Sequence, residues 1–190
     1  AHFYPQELPL GSSFRYDKAV CGTSAIVGLT SNWNRLPVAA KESFAFLLQR
    51  PTLTESILSP SGHFRIHFNR AGIHAVDPTD TDGNGRSDYI DEAARVFDAL
   101  WVLQIDQLGY AAPPSDGDDI YDVYIKNLAS QSAYGFTYPI AFPELTTPSY
   151  MEIDNNFTDN IYFTRGLDGL RVTAAHEFYH AVQFGYYADF

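Results

Sequence analysis

The stretch HEFYH at 176–180 places the strongest constraint on how this chain folds. It has the pattern H-E-x-x-H, and its two histidines reach one ion only if the segment is helical, because positions four apart lie on the same face of a helix. The flanking residues include no proline and are small or apolar (Ala174, Ala175, Phe178, Ala181, Val182). We therefore predict a long helix from about Leu170, with its other face buried.

The same pattern predicts a zinc site. His176 and His180 would bind the ion through ring nitrogens at about 2.0–2.1 Å, and Glu177 would act as the general base toward a water that zinc activates. This chemistry hydrolyses peptide bonds. The alternative is two histidines and a glutamate on an ordinary helix, since short patterns also occur by chance.

A catalytic zinc takes a third protein ligand, and the sequence does not supply an obvious one. The longer motif H-E-x-x-H-x-x-G-x-x-H requires glycine and histidine where this chain has Gln183 and Tyr186. Asp189 follows, but a continuous helix would carry it about 13.5 Å along the axis and onto the opposite face. We expect the third ligand to lie on residues beyond this chain, so that the chain alone is inactive.

A second metal site is predicted in the stretch DTDGNGRSDYID at 80–91, which matches an EF-hand-like loop followed by a helix. Hard oxygen ligands at alternating positions are what calcium takes. The predicted ligands are Asp80, Asp82, Asn84, the carbonyl of Arg86, Asp88 and Asp91. The last position holds Asp instead of Glu, as in dockerin-type loops. We predict a structural calcium that caps the helix; the alternative is an acidic turn with an ordinary N-cap.

The hydrophobic pattern predicts an α+β domain. Apolar residues recur at steps of three and four from Ile90 to Leu108, which predicts a long amphipathic helix that ends at Gly109. Strands are predicted at 63–68, 120–128, 134–142 and 149–154. The last of these is expected to be an edge strand, along which a peptide substrate would lie as an added strand.

Residues 1–60 differ from the rest of the chain. They are irregular, apart from a short helix predicted between Pro37 and Pro51, and we interpret them as an N-terminal arm that packs on the main domain. The junction is predicted at 59–62. Residues 61–190 are then the N-terminal part of a catalytic domain, and 1–60 a pro-segment.

Charge and hydropathy exclude several kinds of partner. The 190 residues carry 12 Lys+Arg and 23 Asp+Glu, a net charge of −11, which disfavours nucleic acid and anionic membranes. No apolar run approaches the roughly 18 residues that span a membrane, and the first residues lack the pattern that predicts a signal peptide. The calcium-type loop favours a secreted, extracellular protein, and the expected partner is a protein or peptide substrate.

Five stretches together resemble a family of secreted bacterial zinc metalloproteases. They lie within residues 60–187 and read PSGHFRIHFNRAGIHAVDPTDTDGNGRSDYIDEAARVFDALW, LGYAAPPSDG, YDVYI, YGFT and VTAAHEFYHAVQFGY. The resemblance implies a zincin-like fold, with a mixed sheet, a long backing helix and an H-E-x-x-H active-site helix. It implies zinc on His176 and His180, Glu177 as general base, and a gluzincin-like rather than metzincin arrangement, in which a later Glu is the third ligand.

Cys21 is the only cysteine and is followed by Gly22 and Thr23. This sequence resembles the Cys-Gly motif with which metzincin proenzymes silence their zinc. A thiolate binds zinc strongly and would displace the catalytic water, so the motif predicts a latent zymogen. The alternative is a cysteine that is a small buried hydrophobe.

Two functional hypotheses follow. The first is a secreted, calcium-stabilised zinc endopeptidase, latent through contact between Cys21 and zinc. The second is a non-enzymatic, calcium-stabilised extracellular surface or adhesion domain that retains a degenerate zinc helix. The incomplete ligand set favours the second, whereas the intact Glu177 favours the first, because a structural role does not require that carboxylate.

Overall fold

The computed structural model describes residues 21–45, 49–140 and 146–187, which form a mixed β-sheet with helices packed on it. The strands are β1 (Glu55–Leu58), β2 (Phe64–Phe68), β3 (Tyr121–Lys126), β4 (Gly135–Pro139) and β5 (Ser149–Asp154). Their order in the sheet is β1-β2-β3-β5-β4. The inner strands β2, β3 and β5 run parallel, while β1 and β4 are antiparallel to their neighbours.

The described α-helices are α1 (Thr23–Ser31), α2 (Val38–Phe44), α3 (Asp88–Trp101) and α4 (Gly166–Phe184). Ser87 caps α3 by accepting a hydrogen bond from the Tyr89 N–H at 3.2 Å. The helix continues as a π-helical segment over Val102–Gln107, and the chain leaves it at Gly109, whose φ of +74° favours glycine. Short 3₁₀ turns cover Trp33–Arg35 and Ala129–Gln131.

The two faces of the sheet pack against different elements. Alternate strand residues on the inner face, such as Ile66, Ile125 and Ile153, are buried against α3 and α4. The outer face carries aromatic and charged side chains, and the N-terminal helix α1 covers part of it through Ile26. The residues of β3 and β5 are therefore nearly all buried, whereas the outer face of β2 is partly exposed.

The α+β prediction is confirmed, and so are the strands at 63–68, 120–128 and 149–154 and the two long helices to within a few residues. β4 occupies the predicted strand at 134–142, of which residues 141 and 142 lie outside the described residues. The prediction that 149–154 is an edge strand is wrong: β5 lies between β3 and β4, and β4 is the edge. All six residues of β5 are buried, as suits a strand with a neighbour on each side.

The predicted junction at 59–62 is the turn of a hairpin between β1 and β2. Residues 55–58, which the sequence assigned to the arm, thus belong to the sheet. Residues 1–20 of the arm lie outside the described residues. None of the described helices is both long enough and apolar enough to cross a membrane.

Candidate metal centre

The two histidines of the H-E-x-x-H pattern face each other from consecutive turns of α4. Their Nε2 atoms are 3.1 Å apart, and the ring centroids are 4.7 Å apart with the planes at 84°. The helix brings them together because its other face, which includes Phe178, is buried in the core. The structure thus brings His176 and His180 to one point.

Cys21 joins this pair from the N-terminal arm. Its Sγ lies 3.6 Å from Nε2 of His180, and the three candidate ligand atoms of Cys21, His176 and His180 all lie within 4.8 Å of one another. Zinc bonds of about 2.0–2.3 Å in a tetrahedron require neighbouring ligand atoms roughly 3.3–3.6 Å apart. The observed separations and the mixed sulfur and nitrogen donors therefore fit zinc with little rearrangement.

Glu177 lies beside the histidine pair, since the Cys21 sulfur contacts both Oε1 of Glu177 and Nε2 of His180. It is fully buried, and its Oε2 accepts hydrogen bonds from the hydroxyls of Thr23 (2.6 Å) and Thr137 (2.8 Å). Its Oε1 accepts from the thiol of Cys21 at 3.5 Å. The hydrogen bonds that Cys21 and Thr23 donate to this carboxylate would be lost if the arm moved away. The position of the arm therefore determines the surroundings of Glu177.

The arm is held on the edge strand β4 by backbone contacts. The N–H of Gly22 donates to the carbonyl of Gly135 at 3.2 Å, and the N–H of Thr137 donates to the Thr23 hydroxyl at 2.8 Å. A Cβ on Gly22 would lie 1.9 Å from the ring of Phe136, so only glycine fits this approach without displacing the ring. Gly22 is therefore required by packing as well as by the motif.

Gly135 allows β4 and α4 to come together at the centre. A Cβ at this position would lie 2.8 Å from Cγ of Glu177 and 2.9 Å from Cγ2 of Thr173. Real Cβ atoms do not make such contacts, so a larger residue would push β4 and α4 apart. The position of Glu177 thus depends on the absence of a side chain on the neighbouring strand.

Gln183 orients His180 from the next turn of the helix. The Oε1 of Gln183 lies 2.7 Å from Nδ1 of His180. An acceptor at this distance places the imidazole proton on Nδ1, which leaves the lone pair of Nε2 directed to the centre. The pKa of His180 is raised: burial lowers it, but interactions with Cys21, Glu177 and Gln183 together outweigh burial.

Three supporting residues, Thr23, Thr137 and Gln183, were not predicted from the sequence. Gln183 was considered only as a departure from the metzincin motif, although its i, i+3 spacing from His180 was a usable signal. The threonines have no local signal, because their contacts with Glu177 span 154 and 40 residues of sequence. Long-range packing brings them to the site.

Tyr186, which stands where the longer motif has its third histidine, makes its contacts elsewhere. The hydroxyl of Tyr186 accepts a hydrogen bond from the N–H of Ala111 at 2.8 Å, within a cluster of tyrosines. Asp189 lies outside the described residues. In the part of the chain that the structure describes, the ligand-type side chain that groups with the two histidines is Cys21.

A cavity of about 260 Å³ opens beside the centre. It is lined by Cys21, Tyr134, Thr164, Val172, Thr173, His176 and Glu177. A mostly apolar recess next to polar and ionisable groups is typical of a site that takes a side chain of a substrate. The arm contributes one wall of this cavity through Cys21.

The loop at 80–91 gathers three of its predicted ligands. Carboxylate oxygens of Asp80, Asp82 and Asp88 lie within 4.8 Å of one another. Asp80 accepts hydrogen bonds from three successive backbone N–H groups, at residues 83–85, and that of Gly85 contributes most to lowering the Asp80 pKa. Gly83 and Gly85 have φ of +72° and +84°, as the sharp turn requires.

The other predicted ligands of this loop make contacts within it. The amide nitrogen of Asn84 donates to Asp82 at 3.0 Å and to Asp91 at 2.6 Å. Asp91 also forms an ion pair with the side chain of Arg86 at 2.8 Å. A calcium ion would therefore require Asn84 and Asp91 to turn toward it, whereas the three aspartates already converge.

Comparison with models of protein families, with curated proteins and with solved structures finds no match.

Proposed function

We propose that this chain carries the zinc-binding and general-base residues of a secreted endopeptidase of zincin-like fold, held in a latent state by its own N-terminal arm. The observation that carries the proposal is the grouping of Cys21, His176 and His180 at zinc-compatible distances, with Glu177 next to them. A chance H-E-x-x-H on an ordinary helix would not bring a distant thiol to the same point.

The residues at the centre have separable roles in peptide hydrolysis. When bound, zinc supplies Lewis acidity, which polarises a peptide carbonyl and makes a water more acidic. His176 and His180 hold the ion. Once Cys21 and Thr23 withdraw, the Glu177 carboxylate accepts a proton from the attacking water and later donates it to the leaving amine. Thr137 keeps the carboxylate in place throughout.

The arm blocks both halves of this chemistry. Cys21 occupies a ligand position that the attacking water or the substrate needs. The Thr23 hydroxyl donates a hydrogen bond to Oε2 of Glu177, the oxygen that would accept the proton. The N–H of Gly22 also donates a hydrogen bond to the carbonyl of Gly135, which lies on the edge strand where a peptide substrate would pair. In the active enzyme, a third protein ligand from outside the described residues would complete the set, and the position that Cys21 leaves would be open to water or substrate.

The second candidate is a non-enzymatic extracellular module with a structural metal. It is favoured by the full burial of Glu177, whose three hydrogen bonds from side chains resemble those of a structural carboxylate. A sulfur ligand beside two histidines is also usual in structural zinc sites. The two candidates differ in whether removal of the arm exposes a working base.

Replacement of Glu177 by glutamine separates the candidates. In the full-length protein with Cys21→Ala, we expect Glu177→Gln to abolish cleavage of a quenched casein substrate while zinc content, measured by mass spectrometry, stays at one per chain. The amide keeps the size of the side chain and can still accept from Thr137, but it is not a base. Cleavage that persists in Glu177→Gln, or no zinc in either protein, would reject the peptidase.

We further propose that the loop at 80–91 binds calcium and stabilises the start of α3. At about 100 times Kd, binding to the folded state adds ~2.7 kcal/mol, which raises Tm by roughly 5–10 °C for a chain of this size. We expect this shift in thermal unfolding with added CaCl₂, and its loss in Asp80→Asn/Asp82→Asn. Asp168→Asn, an exposed site elsewhere, should keep it. An equal calcium response in both variants would contradict the assignment.

A further inference from the structure

A cavity of about 610 Å³ lies on the outer face of the sheet, opposite the face that packs on α3 and α4. Its lining comes from the segment that precedes β1, from the end of β3 and the 3₁₀ turn after it, and from β4 and β5. The lining residues are Gln49, Arg50, Pro51, Thr52, Lys126, Ser130, Gln131, Tyr138 and Glu152. Its volume is typical of a small-molecule site, yet its lining is mostly polar.

Glu152 provides the observation that points to a ligand. It is 3% exposed, and its Oε1 accepts from Nζ of Lys126 at 3.3 Å. The hydroxyl of Tyr138 lies close enough to interact with the carboxyl, but Oε2 has no hydrogen-bond partner among the described residues. Buried carboxylate oxygens are rarely left in this state, and Glu152 lines the polar cavity, so a donor group of a bound molecule would complete its hydrogen bonding.

The charges around the cavity are already paired with one another. Arg50 donates to Asp122 at 2.8 Å and forms an ion pair with Asp116, while Lys126 is paired with Glu152. An anionic ligand would compete with these carboxylates for Arg50 and Lys126, and a cationic ligand would meet both positive side chains. The electrostatics therefore favour a neutral ligand.

The uncharged lining groups define the chemistry of that ligand. The amides of Gln49 and Gln131 and the hydroxyls of Ser130 and Tyr138 each offer both a donor and an acceptor. Their best complement is a molecule with many groups that also both donate and accept, which is the property of sugar hydroxyls. One such hydroxyl would donate to Oε2 of Glu152.

We propose that this cavity binds a neutral carbohydrate, with Glu152 as the central acceptor. The site is independent of the metal centre, because Glu152 projects to the outer face of the sheet whereas α4 packs on the inner face. It would let the protein attach to a glycan or a polysaccharide while the centre on the other face remains accessible.

The test is direct binding of neutral disaccharides to the whole chain. Maltose, cellobiose and chitobiose are titrated by isothermal calorimetry and saturation-transfer NMR, and sedimentation with insoluble cellulose and chitin distinguishes polymers from free sugars. We expect at least one probe to bind. Glu152→Gln should weaken sugar binding about tenfold. Lys126 would donate to the oxygen of the new amide, so the NH₂ group would face the ligand and present a donor where the wild type has an acceptor.

Gln131→Ala, at the exposed rim of the cavity, provides a second test if Glu152→Gln fails to fold, and it should also weaken sugar binding. Gln107 is an exposed glutamine on the π-helical segment, away from the cavity lining, so Gln107→Ala is the matched control and should leave sugar binding unchanged. The proposal is overturned if none of the probes binds, if only charged sugars such as sialic acid bind, or if binding is equal in wild type, Glu152→Gln and Gln131→Ala.

Discussion

Replacing Cys21 with alanine is expected to raise the peptidase activity of the full-length protein about 100-fold. Zinc binding to a structural site with four ligands releases ~10–16 kcal/mol, or about 3 kcal/mol for each ligand. Since ~1.4 kcal/mol corresponds to a factor of ten in an equilibrium constant, the loss of one ligand corresponds to about 100-fold. Without the thiol, the arm keeps the hydrogen bonds of Gly22 and Thr23 and the apolar packing of α1 through Ile26, but loses its bond to the metal. The measurement is the initial rate of casein cleavage in zinc-loaded protein.

A second readout does not depend on activity. Cobalt substituted for zinc should show a sulfur-to-metal charge-transfer absorption in the wild type and lose it in Cys21→Ala, since Cys21 is the only sulfur within reach among the described residues. An identical cobalt spectrum in the two proteins, or unchanged latency, would show that Cys21 does not contact the metal.

Gly22 and Gly28 provide a matched pair that tests the arm without removing the thiol. Gly22→Ala must displace the ring of Phe136 or the arm itself, so it should release part of the activity that Cys21→Ala releases. Gly28→Ala adds the same methyl group six residues further along, where nothing lies within 4 Å. It should remain as latent as the wild type.

Replacing His180 with alanine is expected to weaken zinc binding by roughly 100–1,000-fold, the loss of about one ligand in four. His180 is central to the site, because it lies 3.1 Å from His176 and 3.6 Å from Cys21. Competition with a chromophoric chelator measures the change. Gln183→Ala should weaken zinc binding about 10–100-fold, because the imidazole of His180 is then free to rotate or change tautomer.

His63 supplies the control for this series. Its ring stacks on Trp101 at 3.8 Å, away from α4's histidine pair, so His63→Ala should leave zinc affinity unchanged. Equal affinity in His180→Ala, His63→Ala and wild type would mean that zinc binds elsewhere or not at all. That result would also remove the basis of the proposed peptidase.

The sequence predicted those elements whose apolar period is regular over their length. β5 was predicted with its observed ends, and α3 was predicted with its stop at Gly109. β1 was missed because Glu55–Leu58 is short and only half-buried, so its pattern is too brief to distinguish from a loop. α4 begins at Gly166, earlier than Leu170, because its first turn contains two glycines and has little helical signal.

At the metal centre, the sequence predicted the residues whose chemistry is unusual in itself. A histidine pair at helical spacing and a Cys-Gly dipeptide can be recognised locally, and the structure brings them together. The hydroxyls on Glu177 could not be predicted, because Thr23 and Thr137 reach it only through the pairing of the arm with β4. The order of β4 and β5 likewise rests on long-range strand pairing, which no local pattern records.

β4 is an edge strand, so its outer backbone groups would be exposed if the arm were released. In the described structure, α1 and the residues just before it lie against this strand. Once they leave, unpaired backbone groups become available to any extended chain, including another copy of the same molecule. If the arm is released as proposed, the exposed edge of β4 would favour self-association of the protein.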